Sequence, residues 1–152
     1  MSAPSREELE GWQQHPFFKW MGLAIDSAAE GEAVVSLVVQ PHHRGGGGTS
    51  ALNGGVIAYM CDAAAGAAVA QLCWPPYQVT VSLDVVYLAP VVGPVVRAEA
   101  VLTGPGRTLM FCDVDVRGGD GRVGAKARAI LRVFEHTLSD PAVPAAMEGR
   151  AS

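Results

Sequence analysis

Residues 54–73, Gly-Gly-Val-Ile-Ala-Tyr-Met-Cys-Asp-Ala-Ala-Ala-Gly-Ala-Ala-Val-Ala-Gln-Leu-Cys, have helical length and are apolar on every side, with one carboxylate, Asp62, in their midst. A helix without a polar face has to be enclosed by other elements rather than laid on a surface. The small residues Ala63, Ala64, Ala65, Gly66, Ala67 and Ala68 let neighbouring backbone approach closely. The stretch does not read as a membrane span, because Ala and Gly gain little on transfer to lipid and Asp62 and Gln71 oppose it. An unpaired carboxylate on such a helix is strongly destabilising, so Asp62 is expected to have either a partner or a chemical task. Trp74-Pro75-Pro76 ends the helix, since proline lacks the N–H and clashes with the preceding turn.

The enclosing elements read as strands. In residues 78–88, Val79, Val81, Leu83, Val85 and Tyr87 alternate with Gln78, Thr80, Ser82 and Asp84, the period of a strand with one buried face. Comparable runs occupy 21–27, 32–40, 94–103, 107–117 and 122–134. The hairpin-sized gaps Gly104-Pro105-Gly106 and Gly118-Gly119-Asp120-Gly121 predict an antiparallel meander of the last four strands. Ser5 followed by acidic residues predicts a short capped helix over 5–14, and an aromatic cluster, Pro16 to Trp20, follows it. The expected fold class is α+β: a long central helix wrapped by an antiparallel sheet of about six strands. With 152 residues the chain can bury a core without staples. Residues 1–136 are expected to form one domain, and the Ala- and Pro-rich residues 137–152 a loose tail.

Charge and composition narrow the function. A net charge of −4 with no Lys/Arg-rich run argues against a nucleic-acid partner. Cys61, Cys73 and Cys112 are too far apart for a zinc motif and odd in number for a disulfide framework, and so read as core residues. The adjacent His42 and His43 cannot easily share a metal ion, and no carboxylate is spaced to help them. Gly45 to Gly48 lack the Gly-Lys-Ser/Thr ending of a phosphate-binding loop. His15 and His136 are expected at the surface. The first ten residues have no basic start followed by an apolar stretch, which makes the cytoplasm the expected compartment.

Several residue groups point to acyl-transfer chemistry. A helix start offers unpaired N–H groups and the positive end of the dipole, and Gly54 and Gly55 put no side chain in the way of a carbonyl oxygen: an oxyanion-type site. Asp62 is then placed to serve as a base that activates water or as a nucleophile on a carbonyl carbon. Eight helical residues separate Gly54 from Asp62 by about 12 Å along the axis, too far for one carbonyl carbon to meet both. If both act, they come from two protomers with antiparallel helices side by side. Asn53 is placed to cap the helix through its side-chain oxygen.

Asn53-Gly54-Gly55-Val56-Ile57, Asp62, the run Val81-Ser82-Leu83-Asp84-Val85-Val86-Tyr87-Leu88-Ala89-Pro90 and Gly106-Arg107-Thr108 together resemble the hotdog-fold acyl-CoA thioesterases of the phenylacetate-degradation (PaaI-like) group, over roughly residues 15–134. The resemblance implies a hotdog fold, hydrolysis of a coenzyme A thioester, a homodimer or homotetramer (dimer of dimers), and no metal or redox cofactor. It implies that a hydroxyl at Thr80, with Ser82 as second choice, helps hold the attacking water. Gly55 and Ser82 are candidates for contacting substrate. Arg107, Arg44 and Arg128, with Lys126, are candidates for meeting the coenzyme A phosphates. Two positions depart from the pattern: Asn53 stands where many relatives carry His, and Gly47 where many carry Asn or Gln. These departures leave a non-catalytic acyl-thioester binder as the alternative. A hydratase of the same fold would want a His paired with a carboxylate, and no His lies near the helix in sequence.

Overall fold

The capping box foreseen at Ser5 forms: its hydroxyl accepts from the Glu8 amide at 3.3 Å and its own amide donates to the Glu8 carboxylate at 2.7 Å. It opens helix α1, Arg6–Gln13. The aromatic cluster then folds as a second short helix, α2, Pro16–Met21, which the strand signals had not shown. Its punctuation is visible in retrospect. Pro16 takes the first helical position, the His15 imidazole accepts from the Phe17 amide, and Gly22 closes the helix with φ +73°, a conformation that disfavours any side chain. Accordingly β1, Leu23–Ala29, begins after the predicted boundary, and it pairs with β2, Glu32–Val38.

The structure, a computed structural model, describes residues 4–70, 72 and 77–134. The expected prolyl stop at 74–76, Cys73, His136 and the tail 137–152 lie outside the described residues. After a single turn at Pro41–His43 comes the long helix α3, Gly54–Ala70, and then β3, Gln78–Tyr87, β4, Val95–Pro105, β5, Leu109–Arg117, and β6, Val123–Val133. The six strands form one sheet in the order β1-β2-β4-β5-β6-β3, antiparallel at every pairing.

This order corrects the predicted meander. Strands β4, β5 and β6 do run as one, but β3 crosses to the far side and pairs with β6 instead of β4. Local gap lengths describe the hairpins. They carry no information about where the first strand after a helix docks.

Helix α3 lies against the sheet, and from Ala63 to Ala70 every residue is buried. Val35, Leu37, Val96, Ala98, Cys112 and Val114 supply the sheet side of the core. The enclosure is incomplete in the first half of the helix. Gly55 is exposed, and Val56, Ala58, Tyr59 and Asp62 are half-buried. Asp62 therefore stands at the border between packed core and an open helix face.

Candidate active site

The start of α3 is held by its surroundings as well as by its own cap. The Asn53 carboxamide oxygen accepts from the Gly55 amide at 2.7 Å, and the Asn53 amide donates to the His43 carbonyl at 2.9 Å. The Leu52 amide donates to the Val91 carbonyl and the Gly45 amide to the Ala51 carbonyl, both at 2.9 Å, so the glycine-rich loop is pinned on both sides. With the Gly55 amide engaged by the cap, the Gly54 N–H has no acceptor among the described residues, as expected of a first-turn donor. On its other side Gly54 meets Tyr87, whose hydroxyl donates to the Gly54 carbonyl at 2.6 Å.

Two turns further along, Asp62 receives a 2.6 Å hydrogen bond from the Thr80 hydroxyl. This contact depends on an irregularity that sequence alternation concealed. Thr80 pairs with Leu131 and Ser82 with Ile130, so β3 carries one extra residue, Val81, between them. A bulge of this kind shifts the side-chain alternation by one. Gln78 and Thr80 consequently share the helix-facing side with Leu83, Val85 and Tyr87, whereas Ser82, Asp84 and Val86 point to the opposite face. Thr80 and Ser82, read as neighbours on one polar side, are thus separated. Val79 and Val81, read as core, are 40% and 56% exposed.

Asp62 and Thr80 open into a cavity of about 180 Å³ lined by Trp12, Phe18, Tyr59, Ala63, Gly66, Gln78 and Leu131. Gln78 spans from β3 to α3: its amide nitrogen donates to the Gly66 carbonyl at 2.9 Å. Its carbonyl oxygen, which a carbonyl partner at the nitrogen forces to face elsewhere, has no partner among the described residues. The walls are aromatic. Trp12 from α1 and Phe18 from α2 have ring centroids 5.9 Å apart, and Phe17 and Phe18 both meet Tyr59. Burial first, and the Asp62 charge second, push the Tyr59 hydroxyl and the Cys61 thiol up to about 12. Both are neutral near pH 7. Asp62 is the carboxylate among the residues lining the cavity.

The basic candidates scatter. Arg128 forks onto Asp113 at 2.9 and 3.3 Å, and Lys126 pairs with Asp115 at 2.8 Å. These four alternate with core-facing Val114 and Ala127, which puts them on the sheet face opposite α3. Arg44 and Arg107 are exposed and have no ion pair among the described residues. His43 is buried, accepting at Nδ1 from the Gln40 amide at 2.9 Å. Cys61 and Cys112 are buried free thiols, the core role expected of them. No group of three His, Cys, Asp or Glu side chains among the described residues is placed to hold a metal ion. Nor is any described helix long and apolar enough to cross a membrane.

Sequence inspection found Asp62, Thr80 and the Asn53-Gly54-Gly55 start. It missed Tyr87, Gln78 and the aromatic wall. Tyr87 had been counted only as one beat of an alternation, and nothing local distinguishes Gln78 from a solvated strand residue.

A helix start with a free amide, a carboxylate held by a hydroxyl and an adjoining aromatic-walled cavity make up the candidate site on this hotdog scaffold. Residues 50–125 match the thioesterase superfamily. A Caenorhabditis elegans protein named as an esterase is 33% identical over 140 residues, spanning 84% of this chain and 82% of its own. Among solved structures, a conserved Pseudomonas aeruginosa protein superposes with a TM-score of 0.75 at 25% identity, covering 86% of this chain and all (100%) of its own. The Escherichia coli PaaI protein of the phenylacetic acid degradation operon superposes with a TM-score of 0.73 at 21% identity, covering 84% of this chain and 91% of its own, a likeness of fold. The chain belongs to the thioesterase superfamily and is a thioester hydrolase with the PaaI-like hotdog fold.

Proposed function

We propose that this hydrolase cleaves an aryl- or medium-chain acyl-CoA to the free acid and coenzyme A. The observation that carries the assignment is the Asp62–Thr80 pair opening into the aromatic-walled cavity. Thr80 occupies one carboxylate oxygen of Asp62, and the other has no hydrogen-bond donor among the described residues. Acting as base, Asp62 takes a proton from water as the water oxygen bonds to the thioester carbon. Collapse of the tetrahedral intermediate breaks the carbon–sulfur bond, and the proton passes to the departing thiolate. Acting as nucleophile, an Asp62 oxygen bonds to the thioester carbon and the carbon–sulfur bond breaks, with coenzyme A leaving as thiolate. Water then opens the anhydride, releasing the acid and the free Asp62 carboxylate, and the acid's proton passes to the thiolate. In either route the Gly54 N–H receives the developing oxyanion.

The cavity favours the aryl branch of the substrate class. A dry cavity of about 150 Å³ holds a benzene ring, comparable with the space between Trp12, Phe18 and Tyr59, and aromatic walls add edge and face contacts to a ring. Arg44 and Arg107, exposed and without an ion pair among the described residues, are the better candidates for the coenzyme A phosphates. Arg128 is engaged with Asp113 on the far face.

The unit of function is a homodimer, alone or as half of a homotetramer, in the cytoplasm. Two surfaces support association: the free edge of β3 with exposed Val79, Val81 and Val86, and the half-exposed stripe of α3 that includes Tyr59 and Asp62. Juxtaposing two such stripes in antiparallel fashion brings Gly54 of one protomer toward Asp62 of the other.

The test is release of free thiol from a panel of aryl- and straight-chain acyl-CoAs, with Asp62→Asn beside the wild type. The expected result is turnover by wild type, fastest with aryl groups, and loss of turnover with retained fold in the variant. More than a tenth of wild-type activity in Asp62→Asn would remove Asp62 from the mechanism. A ligand bound without thiol release by wild type would instead support a binding protein.

A further inference from the structure

We propose that Tyr87 is a positioning residue for the Gly54 amide, setting the direction of the N–H that meets the oxyanion. The inference rests on the oxyanion role given to Gly54 above. The peptide unit joining Gly54 to Gly55 is held at both of its polar atoms. Its carbonyl oxygen accepts from the Tyr87 hydroxyl at 2.6 Å, and its N–H donates to the Asn53 side chain at 2.7 Å. Gly54 sits between that clamped unit and the peptide bearing its own N–H. A glycine at the first helical position has the widest backbone freedom of any residue; its N–H has no intrahelical acceptor, while the carbonyl of the same peptide, that of Asn53, accepts from the Val56 and Ile57 amides at 3.0 and 3.2 Å. With the plane on its other side also held, by Tyr87 and the Asn53 side chain, little of that freedom is left. A donor already aimed at the developing charge needs no reorganisation during reaction.

The ring contributes as well as the hydroxyl. A Cβ on Gly54 would stand 3.3 Å from the Tyr87 ring carbon and hydroxyl oxygen, so the aromatic plane is packed directly against the glycine. A long side chain is required at this place for a geometric reason. Helix α3 advances about 1.5 Å per residue from Gly54 to Asp62, whereas β3 advances about 3.3 Å per residue from Thr80 to Tyr87. With a short hydroxyl at Thr80 already reaching Asp62, the strand has outrun the helix by position 87. The long tyrosine side chain reaches back to the helix start, where its hydroxyl meets the Gly54 carbonyl. One strand thereby supplies hydroxyls to the start and to the middle of the helix.

Tyr87→Phe tests the proposal, since it keeps the ring against Gly54 and removes only the hydroxyl. Measured on benzoyl-CoA and hexanoyl-CoA, kcat is expected to fall about tenfold, less than the roughly 10²- to 10³-fold cost of removing an oxyanion donor outright, because the donor stays and loses only its alignment. KM and the melting temperature are expected to stay at wild-type values. The Gly54 amide cross-peak in a 15N–1H spectrum of the free protein is expected to move. Loss of activity in proportion to a lowered melting temperature would make Tyr87 structural and overturn the inference. Wild-type kcat in Tyr87→Phe beside an inactive Asp62→Asn would overturn it while leaving the hydrolytic assignment standing. Full activity in Asp62→Asn would overturn that assignment, and the inference with it.

Discussion

At Gly54 packing and chemistry meet in one residue, and a single methyl group addresses both. In Gly54→Ala the new Cβ would press on the Tyr87 ring at 3.3 Å, tighter than ordinary contact but against a half-exposed side chain able to move. Folding should therefore survive, while kcat falls about 10²-fold as the amide donor is displaced. A large fall in melting temperature with unchanged kcat per folded molecule would show that glycine is there for packing alone. His43 gives a second residue-scale expectation. Burial first, and the neighbouring His42 second, hold its imidazole below the ordinary 6.5, against a weaker upward pull from the Met21 carbonyl. The folded protein thus keeps His43 neutral, while the unfolded chain takes up a proton as the pH drops through 6.5. Its contribution is complete above that pH and is lost progressively below it. Melting temperatures between pH 8 and pH 5 should fall in wild type and fall less in His43→Asn, whose side-chain oxygen can still accept from the Gln40 amide. Parallel curves would exclude His43 as the source.

At the scale of elements, β3 decides which side chains reach α3. Its bulge at Val81 turns Thr80 inward and leaves Ser82 on the opposite face. Thr80→Val, nearly isosteric but without the hydroxyl, should lower kcat about tenfold, in line with removal of one positioned hydrogen bond to a charged group. Ser82→Ala should leave kcat within about twofold, being a change on the far face of the sheet. Steady-state kinetics on the two variants checks the assignment of faces. The reverse ranking would restore the uninterrupted alternation. Helix α2 teaches the same lesson from the other direction. Its signals, Pro16 at the first position and Gly22 in the left-handed region, are in the sequence. Six residues are too few for a hydrophobic period to stand out, so strand propensity in the neighbouring residues dominated.

For the whole molecule, the proposed mechanism leaves each protomer with half of a site, because Gly54 and Asp62 lie about 12 Å apart along one helix. Mixing Asp62→Asn protomers with Gly54→Ala protomers should restore activity, because each heterodimer carries one site with both groups intact and one with neither. Subunit exchange, followed by mass labelling, has to be shown in the same sample. Heterodimers without activity above either parent would place the complete site within a single chain. The exposed edge of β3 and the half-open stripe of α3 are where the partner is expected, and their exposed valines are otherwise unexplained in a chain that buries so much of its apolar surface.

The amino-acid sequence by itself determined the central apolar helix, its capped start at Asn53, the six strands to within a few residues, and Asp62 as the carboxylate to explain. These are local matters: periodicity, caps and breakers act over a few residues and leave their mark in composition. Tertiary structure alone decided that β3 docks beside β6, that a bulge brings Thr80 to Asp62, and that Tyr87 and Gln78 tie the strand to Gly54 and Gly66. It also decided that α1 and α2 wall the cavity with Trp12 and Phe18. Each of these joins residues distant along the chain, and a one-residue shift in strand register reverses every face beyond it. Such a shift leaves no trace in an alternating pattern, because both faces of β3 carry apolar side chains and only the partner strand selects between them.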